Sequence, residues 1–267
     1  MSLLLALQLL ALGVASGFLA GLLGIGGGML MVPFLTALLA AQGVAGALAV
    51  KMAIATSMAC IVATAASSTR AHHARGAVRW DVVRAITPGI LVGTFAATFI
   101  AARVSTVPLA IFFAVFMAYV SIQMLLNIKP KPARELPGGL GMSAAGLGIG
   151  GVSALVAIGG GSLSVPFMTW CNVKMQNAIG TSAAIGLPIA LAGTVGYLVN
   201  GWGAPDMPAL TFGYVYLPAL VLVSVVSTFF APLGAKLAHR LPVATLKKVF
   251  AGMLVLLCAK MLHSIFA

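Results

Sequence analysis

Acidic side chains are nearly absent: Asp81, Glu135 and Asp206 are the only three, and each falls between apolar runs. With no carboxylate inside an apolar segment, acid–base catalysis by a carboxylate pair is excluded there, and so is a cation site of the usual acidic kind. Charge of either sign is scarce at 7% of residues, whereas a soluble domain carries roughly 25%. Cysteine is limited to Cys60, Cys171 and Cys258, each isolated within or beside an apolar stretch. That spacing excludes a disulfide framework and a metal motif and leaves small apolar fillers. The apolar segments contain no HExxH and no nucleophile–base set, which argues against a membrane enzyme. No cofactor and no metal are expected.

What is present is apolar: 61% of the 267 residues are hydrophobic and the mean hydropathy is +1.14. The apolar runs far exceed the roughly 10-residue alternating strands of a barrel. Lipid also requires backbone polar groups to be satisfied within the segment. The fold class is therefore an all-α polytopic membrane protein, with lipid as its surroundings. Fifteen Lys and Arg give a net charge of +12, but they cluster beside apolar spans, the pattern of cytoplasmic loops rather than of nucleic-acid binding. Residues 1–19 lack the leading basic residue of a signal peptide.

The chain repeats itself. "GIGGGMLMVPF" at 24–34 returns as "AIGGGSLSVPF" at 157–167, Gly13 and Gly17 match Gly146 and Gly150, and "ATS" at 55–57 matches "GTS" at 180–182. These matches divide the chain into a first repeat, 1–128, a cytoplasmic linker, 129–137, and a second repeat, 138–267. Each repeat is expected to hold a glycine-broken segment, 3–40 or 138–171, followed by three spans. The spans are placed at 45–69, 84–102 and 106–128, then at 176–200, 211–235 and 243–266.

Charge sets the orientation. Arg70, Arg75, Arg79 and Arg84, then Lys129, Lys131 and Arg134, then Lys236, Arg240, Lys247 and Lys248 mark three cytoplasmic segments. The loops "LLAAQGVAG" and "NGWGAPDMPAL" carry no Lys or Arg and go outside; Arg103 is the one dissenter. Segment 138–171 must then start and end inside, as a re-entrant hairpin. If segment 3–40 folds alike from outside, the two halves form inverted-topology repeats, an arrangement of secondary transporters. The competing topology lets 3–40 cross once.

A turn at membrane depth calls for residues that take positive φ and leave the backbone free, which glycine does. Such backbone is tolerated only where protein covers it or a wet cavity meets it, so the tips are expected to meet near the midplane. Helices starting near Met29 and Ser162 would aim their unpaired amides and positive dipole ends there, an anion-binding arrangement. Gly26, Gly27, Gly28, Gly159, Gly160, Gly161 and Ser162 are thus candidate substrate-binding residues. Gly13, Gly17, Gly21, Gly146 and Gly150 at four-residue spacing fit close helix packing instead.

Thr56, Ser57, Thr181 and Ser182 place hydroxyls roughly 15 Å into the following helices. A bond to the preceding turn would also occupy them, but their duplication favours a ligand role. Gln176 and Asn177 precede the second pair, and Lys51 stands where Gln176 does. Lys51 can snorkel and attract an anion. His72 and His73 are assigned to the basic cytoplasmic loop, where a solvated position accounts for both; no intramembrane acid accompanies them as in a proton relay, and His72 is retained as a candidate for anion attraction or for coupling to protons or another ion. The dipole argument accommodates a carboxylate or phosphate as readily as any small anion, and an oligomer is compatible with the sequence.

The hairpin with "VPF", the following "ATS", the "SSTRAHHARGAVRW" loop and the repeated "AIGGGSLSVPF... AIGTSAAIG" together resemble the TauE/SafE family of sulfite exporters. The likeness covers essentially the whole chain, and His72 and Gly76 match that family's His and Gly. It implies a transporter in the prokaryotic cytoplasmic membrane. The implied substrate is a small sulfur-containing anion such as sulfite, sulfoacetate or another organosulfonate, and the implied direction is often export.

Overall fold

The structure, a computed structural model, describes residues 3–24, 26–126, 133–238 and 251–259. It is nearly all helical. Helices α1 (Leu3–Leu23) and α2 (Gly28–Ala41) form the first glycine-broken element; α3 (Gly46–His73), α4 (Trp80–Arg103) and α5 (Thr106–Leu125) follow. The second broken element is α6 (Gly139–Val156) and α7 (Gly161–Trp170), followed by α8 (Met175–Asn200), strands β1 (Thr211–Phe212) and β2 (Val215–Tyr216), and α9 (Leu217–Ala238). Among the described residues seven helices, all but α2 and α7, are long and apolar enough to cross a membrane.

The helix ends depart from the expected spans where polar residues prolong a helix into water. α3 runs on from 69 to His73, with Arg70, His72 and His73 in its last turn beside the negative end of the dipole. α4 starts at Trp80 rather than 84, with Asp81 in its first turn. Asp81 receives the Arg79 guanidinium at 2.9 Å, and this bond raises the arginine's pKa above its ordinary value. The helix expected from 211 starts at Leu217 instead. Residues 211–216 form a small antiparallel hairpin in which Thr211 faces Tyr216 across Gly213, whose φ is 53°. A Thr-Phe-Gly-Tyr-Val-Tyr run, rich in β-branched and aromatic residues, favours that choice. The last expected span, 243–266, lies largely outside the described residues; within it, 251–259 is helical.

The most extensive helix contacts run between the two halves: α1 packs on α9, α4 on α6, and α3 on α8. Glycines make the first two possible. A Cβ on Gly17 would lie 2.5 Å from Ser227 Cα, and one on Gly150 would lie 2.7 Å from the Ile90 carbonyl. A Cβ on Gly13 would lie 3.1 Å from the Val223 carbonyl and one on Gly146 would collide with that of Ile86, so the glycine stripe of each leading arm does the same work against the outer helix of the other half. The pairs α3·α9 and α8·α4, and α2·α3 and α7·α8, likewise recur.

Gly17→Val is expected to lower stability by about 1–3 kcal/mol through overpacking against Ser227. Gly148→Val, whose Cβ would meet nothing within 4 Å, serves as the control. Thermal melting in detergent compares them, and equal melting of the two variants would refute the close-packing account.

Candidate substrate site between the hairpin tips

Each hairpin breaks on a glycine in the left-handed region. Gly27 (φ 77°) caps α2 and Gly160 (φ 80°) caps α7. The first bonded amides are those of Leu30 and Met31, on the Gly27 carbonyl, and of Leu163 and Ser164, on the Gly160 carbonyl. The amides of Gly28, Met29, Gly161 and Ser162 therefore precede the first intrahelical bond and face the break. The helices start one residue earlier than the sequence suggested.

The two tips touch. A Cβ on Gly26 would lie 3.0 Å from Gly159 Cα, and one on Gly28 would collide with the Ala157 carbonyl. Ser162 Oγ reaches Met29 Sδ at 3.7 Å across the junction. The contact sits near the middle of both long inner helices: Gly26 meets Ile61 of α3, and the Gly159 carbonyl meets Gly186 of α8. The leading arms extend further. His72 Nε2 donates to the Gly21 carbonyl at 3.0 Å, at the end of α3. Tyr197 OH donates to the Ala154 carbonyl at 2.9 Å, near the end of α8. Each arm thus passes the middle before the chain doubles back, which accounts for leading arms long enough to cross by themselves.

Several expected site residues turn out to be engaged elsewhere. Thr56 Oγ1 accepts the Tyr216 amide at 2.9 Å, and Thr181 Oγ1 accepts the Arg79 amide at the same distance. Both threonines therefore clasp the residue that leads into an outer helix, α9 or α4, of the opposite half. Ser182 Oγ lies at the tip, 3.0 Å from the Gly24 carbonyl and from Ser164 Oγ. Ser57 Oγ is fully buried without a partner. Gln176 does not reach the tips and is exposed on the first turn of α8. Lys51 is half-buried and its ammonium donates to the Ala102 carbonyl at 2.8 Å. His72 is not a loop residue: it is fully buried in the last turn of α3 against Gly21. His73 is exposed and accepts the Trp80 indole N–H at 3.2 Å.

Sequence reasoning missed two residues. Tyr197 occupies in the second half the place of His72 in the first, and the spacing from the Thr-Ser pairs would have revealed it. Ser68 lines a narrow gap at the tip junction, together with Gly24, Gly26, Gly159, Ala183 and Gly186. Its repeat partner is Gly193, so duplication gave no signal.

Among the described residues, seven apolar helices with two glycine-broken elements meeting between them define a multi-pass membrane protein, and its relatives are named probable membrane transporters. The family described as Sulfite exporter TauE/SafE matches residues 9–261, and the chain belongs to it. It is 38% identical to a "Probable membrane transporter protein" of Haemophilus influenzae, over 94% of this chain and 96% of that protein. It is 24% identical to "Probable membrane transporter protein YunE" of Bacillus subtilis, over 96% of each. A further relative is "Probable membrane transporter protein MJ0441" of Methanocaldococcus jannaschii, 24% identical over 92% of this chain and 91% of that protein. No solved structure matches. The prokaryotic cytoplasmic membrane follows from these relatives and the apolar helices.

Thr181→Val leaves the Arg79 amide without its acceptor and is expected to cost about 1–3 kcal/mol, whereas Thr181→Ser retains the bond. Melting of the purified variants checks this; a Val variant as stable as the Ser variant would rule out the clasp.

Proposed function

We propose that this chain is a secondary transporter that exports a small sulfur-containing anion, such as sulfite, sulfoacetate or another organosulfonate, by alternating access around the touching hairpin tips. The observation that carries this reading is the meeting of two helix N-termini, α2 and α7, at a glycine-lined contact inside an apolar bundle. Their dipoles and N-terminal amides favour an anion. The lack of acids in the spans disfavours a cation. The family's description as a sulfite exporter supplies sulfite and export. His72, buried and bonded to the last turn of α1, is the proposed coupling group, and Lys51, its ammonium on the Ala102 carbonyl, the residue that attracts anion.

The halves are proposed to be inverted repeats, 1–128 and 138–267, joined by a cytoplasmic linker at 129–137. The exchange of the α1·α9 and α4·α6 contacts, of the threonine clasps, and of the His72–Gly21 and Tyr197–Ala154 bonds supports this arrangement. Rocking of one half against the other would part the tips from one side at a time.

Thermal-shift titration of the purified protein with sulfite, sulfoacetate, taurine, acetate and phosphate tests the substrate class. Stabilisation by sulfite or a sulfonate, lost in Gly160→Leu, is expected; a response to carboxylate or phosphate alone would overturn the sulfur assignment. For topology, Gln42→Cys and Lys174→Cys, both at exposed positions, are expected to label from opposite faces of the membrane in a background without native cysteine. Labelling from one face would remove the inversion.

A further inference from the structure

The second inference rests on the transporter reading and places the anion. Exchanging the halves maps the space at the tips onto a second place across the Gly26–Gly159 contact. In that exchange Ala183 corresponds to Met58, Gly186 to Ile61 and Ser68 to Gly193. The two places are filled differently. On one side Met58 Sδ lies 3.1 Å from where a Cβ on Gly193 would stand, and Ile61 Cγ2 lies 3.1 Å from where one on Gly26 would stand. Both side chains are fully buried. On the other side Ala183 and Gly186 reach no further than a methyl group and a hydrogen, leaving a narrow gap.

Ser68 lines that space, is 1% exposed, and its Oγ has no hydrogen-bond partner. A buried hydroxyl without a partner is unfavourable, and a ligand oxygen would satisfy it. We infer that the transported oxyanion is held off-centre, on the Ser68 side of the tips, with the Ser68 hydroxyl donating to one of its oxygens and Met58 and Ile61 plugging the pseudo-equivalent place. Gly26 and Gly159, one from each tip, line the same space. A hydroxyl donor beside the tip glycines suits a deprotonated anion, and sulfite or a sulfonate offers it three acceptor oxygens where a carboxylate offers two.

The side matters. By the helical rise Ser68 lies about 8 Å from the end of α3, and Ala183 about 12 Å from the start of α8. That is the face bearing the exposed Arg70, Arg75, Arg79 and Arg84. An anion drawn to that face meets the Ser68 side first. The space as it stands does not admit a water-sized sphere, so loading requires the tips to part.

The test is calorimetric titration of the purified full-length protein with sulfite. Ser68→Ala is expected to bind about 10- to 100-fold more weakly, the loss of one hydrogen bond to a charged ligand, and to lose its preference for sulfite over acetate. Met58→Ala, on the plugged side, keeps sulfite affinity within about threefold. Gly186→Ile, which installs the residue of the plugged side, is expected to abolish binding; should it misfold, Ser68→Ala decides. Wild-type binding that Ser68→Ala leaves unchanged in affinity and selectivity would overturn this placement and spare the transporter reading. A wild-type protein that binds no sulfite would instead remove the substrate reading on which the placement rests.

Discussion

Inside a hydrocarbon layer a peptide group that leaves a helix finds no water, so each helix break must be covered by protein. This chain breaks two helices, at 24–27 and 157–160, and covers each break with the other. Gly26 lies on Gly159 and Gly28 on the Ala157 carbonyl; Ser182 bonds the Gly24 carbonyl, His72 that of Gly21 and Tyr197 that of Ala154. The interlacing of the halves follows from this need. A leading arm can deliver its tip to the opposite half only by packing along it, and the glycine stripes of α1 and α6 let the backbones approach closely enough to do so.

Duplication gives the bundle paired contacts, and the departures from pairing are where the halves acquire different work. The threonine clasps on Tyr216 and Arg79 are alike because both outer helices must start at the same level against an inner one. At the junction the likeness ends. Ser164 stands by Ser182 in the second half, whereas the equivalent of Ser164 is Met31, and Ser57 has no partner. Two equal halves would hold the tips identically from both faces. Unequal ones fill the two faces of the contact differently, with Ala183 and Gly186 on one and Met58 and Ile61 on the other.

Charge separates cleanly from this interior. Arg70, Arg75, Arg79 and Arg84 stand about the end of α3 and the start of α4, and among the described residues no charged side chain lines the junction. An anion at that depth would be met by backbone amides and hydroxyls, which need no counter-charge inside lipid.

By itself the sequence determined what depends on local chemistry. Composition required a helical membrane protein, the triple glycines marked positive-φ breaks that Gly27 and Gly160 now show, and four-residue glycine spacing marked the packed faces of α1 and α6. These features were legible because each is a property of one helix or one turn. Only the tertiary structure decided which hydroxyls bind backbone and which stay unpaired. Thr56 meets a partner 160 residues away and Thr181 one 102 residues away. The same holds for the burial of His72, the exposure of Gln176 and the 211–216 hairpin that displaced a helix start. A hydrogen-bond donor or acceptor takes whatever the packed neighbour presents, and which neighbour arrives is set by the crossing of whole helices rather than by the residues beside it in the chain.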